Sequence, residues 1–102
     1  MEVHNMPKLD KQHRVTIPFD LREELGWKFP QTLALCYDFS TPDAIIINKK
    51  ETCKSHCVLC FREVDSKGRI SFPKEALALL KADWDDFFII YIKNGEFFIR
   101  KP

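Results

Sequence analysis

The stretch VDSKGRISFP, residues 64–73, nearly repeats an earlier stretch of the same chain, LDKQHRVTIP, residues 9–18. Both contain Asp, then Arg four positions later, followed by a β-branched residue, a hydroxyl-bearing residue, an apolar residue and Pro. The offset of 55 residues (65 − 10 = 55) also relates Leu25 to Leu80. An internal repeat of this kind indicates two similar supersecondary units in one chain.

The repeated motif predicts a strand, a turn, a second strand and a short helix in each unit. Gly68 suits a turn position with positive φ, and His13 fills the equivalent position at an energetic cost. The proline that ends each motif suits the first position of a helix, because its φ is already helical and it has no N–H to lose. Gly26 then offers a stop for the first helix, whereas Lys81 stands at the equivalent place in the second.

A hairpin is predicted to close each unit, over residues 32–48 and 87–100. Asn94-Gly95 is a strong signal for the second of these turns. Apolar side chains occupy both faces of the hairpin strands, which is typical of strands that are covered on both sides. Because a two-stranded hairpin is not stable alone, we expect each hairpin to be covered by the other repeat. Apolar surface left uncovered at residues 87–92 and 97–99 predicts association into a homo-oligomer.

We therefore predict a mostly β fold, in which two tandem repeats share one core and form a single barrel-like unit with two short helices. The first repeat is placed at residues 1–50 and the second at residues 61–102, with a Cys-rich linker at residues 51–60. A chain of 102 residues has room for one such domain.

The composition narrows the function without deciding it. Lys and Arg total 16 against 15 Asp and Glu, so a nucleic-acid-binding surface requires these charges to be sorted onto one face. No apolar run approaches the ~18 residues of a membrane helix, and the beginning of the chain has no hydrophobic signal core. Four cysteines without an export signal are expected to be reduced thiols in a cytoplasm. The chain has no catalytic constellation and no phosphate-binding glycine loop, so we do not expect an enzyme.

The two motifs resemble those of the AbrB/SpoVT swapped-hairpin superfamily, which read close to D-x-x-G-R-[IV]-x-I-P-x-x-L-R-x-x-L-G. LDKQHRVTIPFDLREELG, residues 9–26, matches nearly throughout and lacks only the turn glycine. VDSKGRISFPKEALALLK, residues 64–81, matches through the proline but has Leu77 at the Arg position and Lys81 at the final Gly position. Two copies in one chain further resemble the tandem-repeat, MraZ-like members of this group.

The resemblance implies swapped-hairpin repeats that complete each other around a pseudo-two-fold axis. It also implies a bacterial DNA-binding transcriptional regulator whose partner is double-stranded DNA, in a cytoplasmic, nucleoid-associated location. No cofactor, small-molecule substrate or membrane is implied. Two other functions stay open: a swapped-hairpin protein-interaction module without DNA binding, which suits the near-zero net charge, and an antitoxin-like partner protein.

Arg14 and Arg69 are the strongest candidates for DNA contact, because the planar guanidinium fits phosphates and guanine edges. Each can instead close its own turn as an ion pair with Asp10 or Asp65, and one residue can serve both roles. Arg22 is a further candidate because it fills the family's Arg position, and the second repeat has no counterpart to it. Four lysines are weaker candidates, each of which is otherwise a solvated surface charge: Lys8, Lys11, Lys67 and Lys74.

The cysteine cluster CKSHCVLC, residues 53–60, contains the residue types of a zinc site, namely Cys53, His56, Cys57 and Cys60. Zinc sites usually combine a C-x-x-C pair with a second pair farther along the chain, whereas these candidates lie within eight residues. We therefore expect ordinary thiols and no metal. Trp27 and Trp84 are expected in the core or an interface rather than on a base-stacking surface.

Overall fold

The computed structural model describes residues 2–5, 7–52 and 57–102, with residues 2–5 and 52 described by their backbone alone. This part of the chain is mostly β and measures 29 × 28 × 25 Å. Its helices are α1 (Phe19–Glu24) and α2 (Lys74–Leu80), with a 3₁₀ turn at Lys50–Thr52. Its strands are β1 (Glu2–Asn5), β2 (Arg14–Thr16), β3 (Gln31–Tyr37), β4 (Ala44–Lys49), β5 (Cys57–Val64), β6 (Arg69–Ser71), β7 (Ile89–Lys93) and β8 (Glu96–Arg100).

The strands form two antiparallel sheets. The larger has six strands in the order β1-β7-β8-β4-β3-β5, and the smaller pairs β2 with β6. Over the described residues neither sheet closes on itself, because β1 and β5 each pair on one side only and lie at opposite edges. The mostly β prediction is confirmed, but the sheets are open where a barrel-like unit was expected.

Strand pairing between the two halves of the chain is reciprocal. β1 of the first half pairs with β7 of the second, and β5 of the second half pairs with β3 of the first. Asn5 lies opposite Ile90 and Leu35 opposite Cys60, so both pairs are related by the same offset (60 − 5 = 55 and 90 − 35 = 55). A β-bulge interrupts both ladders at the equivalent place. The internal repeat seen in the sequence is therefore also present in the backbone register.

Apolar side chains are buried on both faces of the six-stranded sheet. One face joins β2, β6 and the two helices in a core that includes Val15, Ile70 and Phe97. The other face carries a smaller cluster in which the rings of Tyr91 and Phe98 stack with centroids 5.0 Å apart. Tyr91 is only 5% exposed and Phe98 only 6%. Apart from Phe87, which is 51% exposed, the apolar stretches from which we expected self-association are largely covered within one chain, and association stays a prediction.

The helix ends agree with the sequence pattern with one shift at the start. Pro18 and Pro73 are extended N-cap residues, so each helix begins one residue after the proline, whereas the sequence predicted the proline as the first helical residue. Gly26 follows α1 with a φ of 73°, and Lys81 caps α2 with a φ of 54°. The same left-handed stop is therefore built with glycine once and with lysine once.

The described part of the chain contains no helix that is long and apolar enough to cross a membrane. β5 begins at Cys57, within the segment that the sequence analysis treats as a linker, and the boundaries of the repeats stay a prediction.

Candidate nucleic-acid interface

The first repeated motif forms a tight turn, residues 10–14, which we call turn A. The Oδ1 atom of Asp10 accepts hydrogen bonds from the backbone N–H groups of Gln12 at 2.9 Å and Arg14 at 2.8 Å. Its Oδ2 atom accepts a hydrogen bond from Nε of Arg14 at 3.0 Å. The Asp–Arg pair therefore closes its own turn, which was one of the two roles considered for these residues.

The second motif forms turn B, residues 65–69, with the same hydrogen bonds. Oδ1 of Asp65 accepts the backbone N–H groups of Lys67 at 2.9 Å and Arg69 at 2.8 Å, and Oδ2 accepts Nε of Arg69 at 2.6 Å. The side chains of the two ion pairs are between a quarter and two fifths exposed. Solvent therefore weakens the ion pairs, and their main contribution is geometric.

The hydrogen bonds in both turns act on the aspartate pKa. Partial burial raises the pKa of Asp10, but the backbone N–H and guanidinium of Arg14 and the N–H of Gln12 outweigh it and leave the pKa below its usual value. The same balance within turn B lowers the pKa of Asp65. Both aspartates are therefore ionised at neutral pH and hold their arginines in place.

The two turns adjoin the two-stranded sheet, whose outer face is polar. Val15 lies opposite Ile70, and both are fully buried. Because side chains alternate along a strand, the residues on either side of this pair point away from the core. We call these outward residues the polar face: Arg14, Thr16, Arg69 and Ser71.

The arginines of the polar face are related by the internal symmetry. Arg14 lies opposite Ser71 and Arg69 opposite Thr16, so the arginines are diagonal neighbours whose Cα atoms are roughly 7–8 Å apart. The pseudo-two-fold axis passes through the central Val15–Ile70 pair. Two guanidinium groups thus stand on one surface with approximate two-fold symmetry.

Arg22, a candidate for DNA contact in the sequence, makes contacts within the chain. Its Nε atom donates a hydrogen bond to the carbonyl oxygen of Ile17 at 2.9 Å, and its guanidinium lies 5.5 Å from the centroid of the Phe19 ring. The guanidinium also packs on turn B, because a Cβ built on Gly68 would lie 2.6 Å from the Arg22 guanidinium carbon. The Arg22 side chain therefore contacts the backbone of both repeats: it bonds the Ile17 carbonyl in the first and packs against Gly68 in the second.

The position of Arg22 accounts for the uneven use of glycine. In the second repeat Leu77 occupies the equivalent helix position and is buried, so this position supplies no guanidinium to turn A. His13, with a φ of 60°, takes the place that Gly68 fills with a φ of 82°. Glycine is thus found in the turn that Arg22 covers, and a side chain in the turn that it does not.

Two of the four candidate lysines contact other side chains through their ammonium groups, and two do not contact any described side chain in this way. Lys8 forms an ion pair with Asp85 at 2.7 Å and lies over the Phe87 ring. Lys11 of turn A lies over the Trp84 ring, 5.4 Å from its centroid. The exposed lysines Lys67 and Lys74 have no ion pair or ring contact with any described residue.

Two further residues lie near the polar face, and the sequence analysis missed the first of them. Gln12 accepts a hydrogen bond from Nη2 of Arg14 at 2.7 Å. Trp84, expected in the core or an interface, is 50% exposed beside turn A. Trp84 is therefore outside the core of one chain, and a role in an interface stays a prediction; Oδ1 of Asp83 accepts its backbone N–H at 2.8 Å. Its pairing with Lys11 depends on folding and has no signal in the sequence.

The cysteine cluster falls partly outside the described residues, which exclude Cys53 and His56. Cys57 lies opposite Tyr37 and Cys60 opposite Leu35, and these two partners point to the same face of the sheet because they are two positions apart. The cysteines are three positions apart, and a bulge in the ladder allows them to take these partners. Burial raises the pKa of the Cys60 thiol. Within residues 2–5, 7–52 and 57–102, no three metal-ligating side chains are grouped.

Comparison with known proteins adds no assignment. No protein-family model matches this chain, and no curated protein is significantly similar to it in sequence.

Proposed function

We propose that this protein is a transcriptional regulator that binds double-stranded DNA through the polar face and turns A and B. The observation that carries the proposal is the pair of arginines, Arg14 and Arg69, on one outward surface around a pseudo-two-fold axis. DNA-binding proteins commonly match a two-fold axis of their own to a pseudo-palindromic site. In this proposal Nε of each arginine fixes the turn, while the terminal nitrogens approach phosphates or base edges.

We further propose that the chain is a tandem member of the AbrB/SpoVT swapped-hairpin superfamily. Support comes from the reciprocal pairing of β1 with β7 and of β5 with β3, with the same offset and the same bulge. In such an arrangement each repeat supplies the strand that flanks the hairpin of the other. A nucleoid-associated regulator without catalytic activity or cofactor is the function that this membership favours.

The proposal is tested by measuring binding to short duplex DNA of mixed sequence over a range of salt concentrations. The wild-type protein should bind with an affinity that falls as salt rises, with a slope of about −0.9 for each phosphate neutralised. Arg14→Gln/Arg69→Gln should abolish most of this binding. Glutamine is preferred to glutamate, because a carboxylate opposite Asp10 and Asp65 would destabilise the turns themselves. Lys93→Gln, an exposed charge in the β7–β8 hairpin, is the control for net charge.

A different result favours the rival function. If the wild-type chain shows no salt-dependent binding to duplex DNA, or if the double glutamine variant binds as the wild type does, the arginines only close their turns. The protein-interaction function would then be the better account, and the exposed Val58 and Phe61 on the edge strand β5 would be the first surface to study.

A further inference from the structure

We propose that turns A and B are unequal in DNA binding, with turn B as the principal contact, so that the chain binds an asymmetric DNA sequence in one orientation. This inference rests on the proposed function and adds to it which half of the polar face dominates. It follows from differences between side chains that the internal symmetry would otherwise make equivalent.

The first difference concerns the arginine side chains. In turn A, Nη2 of Arg14 donates a hydrogen bond to Oε1 of Gln12 at 2.7 Å. The equivalent position in turn B is Lys67 (12 + 55 = 67), which has no acceptor to offer. Within the part of the chain that the structure describes, the terminal nitrogens of Arg69 donate no hydrogen bond. One of the four terminal N–H donors of Arg14 is therefore engaged within turn A, whereas all four of Arg69 are available to a phosphate.

The second difference concerns the lysines beside each turn. Lys11 in turn A lies over the Trp84 ring, and Lys8 nearby is paired with Asp85 at 2.7 Å. Lys67 in turn B is exposed and has no such contact with a described residue. A cation that already has a partner loses that interaction when it moves to a phosphate, so turn A offers less net attraction for each lysine.

The third difference concerns rigidity. Turn B is covered by the guanidinium of Arg22, which is itself fixed by a hydrogen bond to the Ile17 carbonyl at 2.9 Å. Leu77 at the equivalent position has no guanidinium to cover turn A in this way. A contact surface that is already ordered loses less conformational entropy when it binds. Arg22 is thus a positioning residue for turn B.

Net charge does not produce the difference. The helix α1, whose Arg22 packs on turn B, also carries three exposed carboxylates, those of Asp20, Glu23 and Glu24. The segment beside turn A likewise carries the exposed carboxylates of Asp83 and Asp85. The distinction lies in which cationic groups are unengaged.

Matched single substitutions test the inequality. Arg69→Gln and Arg14→Gln remove the same local ion pair, so their effects on folding should be similar and the comparison isolates DNA contact. Arg69→Gln should weaken binding to mixed-sequence duplex DNA by about tenfold or more, the size expected for one charged hydrogen bond. Arg14→Gln should weaken it by less than about threefold. Equal losses, or a larger loss for Arg14→Gln, would overturn the inference.

A reciprocal exchange provides the sharper test, because Gln12→Lys/Lys67→Gln preserves the net charge of the chain. In this background the sensitive arginine should change from Arg69 to Arg14. Lys67→Gln alone should also lower the salt slope by about 0.9, whereas Lys11→Gln should change it less. If Arg69 stays the sensitive residue after the exchange, the side chains at positions 12 and 67 do not set the inequality.

The outcomes separate the two proposals. Salt-dependent binding with equal losses at Arg14 and Arg69 would keep the proposed function and remove the inequality. Absence of salt-dependent binding by the wild-type protein would remove both. Selection of duplexes from a random pool should yield a non-palindromic consensus, and a palindromic consensus would also contradict the inequality.

Discussion

Turns A and B have equivalent backbone hydrogen bonds, although the residue at the fourth position of each turn is different. Turn B has Gly68 there and turn A has His13, yet both residues adopt positive φ values, 82° and 60°. The hydrogen bonds that each arginine donates to its aspartate agree closely in length, apart from the Nε bond, which is 3.0 Å in turn A and 2.6 Å in turn B. The comparison shows that aspartate and arginine set the conformation of these turns. Glycine is required only in turn B, where the Arg22 guanidinium occupies the space of a side chain.

The strongest test of this comparison is Gly68→Ala. The added Cβ would lie 2.6 Å from the Arg22 guanidinium and 2.8 Å from the Ile17 carbonyl oxygen, at a φ of 82°. We expect a loss of about 2–4 kcal/mol in the free energy of unfolding, measured by urea denaturation, from overpacking and left-handed backbone together.

Gly95→Ala is the matched control for Gly68→Ala. Gly95 also has a positive φ, 77°, but no atom lies within 4 Å of an added Cβ. This variant should lose about 1 kcal/mol, the backbone term alone. Adding Arg22→Leu to Gly68→Ala should recover part of the lost stability, because it removes the close contact with the guanidinium. The recovery should be incomplete, because the close contact with the Ile17 carbonyl oxygen remains. Equal losses at Gly68 and Gly95 would show that Arg22 does not restrict turn B.

The second test concerns pH and both turns together. Because the pKa values of Asp10 and Asp65 are lowered in the folded protein, their ionised forms stabilise it at pH values above the unfolded pKa of about 3.9. This stabilisation should disappear as the pH falls from about 4 through the lower pKa values of the folded state. Asp10→Asn/Asp65→Asn should flatten this part of the curve of unfolding free energy against pH. An unchanged curve would show that the ion pairs contribute no pH-dependent stability.

A smaller effect is expected from His13→Gly, which makes turn A resemble turn B. A non-glycine residue at a φ of 60° carries a cost that glycine avoids, although glycine also makes the unfolded chain more flexible. We expect a net gain of about 0.5 kcal/mol in unfolding free energy, seen as a higher denaturation midpoint. A loss of stability would mean that the His13 side chain makes a favourable contact that outweighs its backbone cost.

The smallest effect is expected from Lys81→Gly, which gives α2 the same stop as α1. The left-handed Lys81 has a φ of 54°, so glycine relieves a similar backbone cost. Lysine at a helix C-terminus, however, interacts favourably with the helix dipole by about 0.3–1 kcal/mol. We expect the two effects nearly to cancel, so that thermal denaturation changes less than it does for His13→Gly. A gain equal to that of His13→Gly would show that the charge of Lys81 contributes nothing.

The repeat is visible directly in the sequence, and the turns and short helices were predictable because they depend on residues within a few positions of one another. Asp and Arg four positions apart can close one turn, and the sequence offered this as one of two roles for Arg14; the structure shows the bond to Asp10. Gln12 was missed although it is equally local, because its amide can also point to solvent and no pattern distinguishes the two orientations.

The sequence by itself determined a two-fold repeated, mostly β chain with an arginine at the same place in each turn. Only the tertiary structure decided that β1 pairs with β7 and β5 with β3, since the composition of a strand does not specify its partner. Only the tertiary structure decided that Arg22 crosses to Gly68 and that Lys11 meets Trp84. Such contacts join residues tens of positions apart, and they form only after the backbone of one repeat has brought the other within reach.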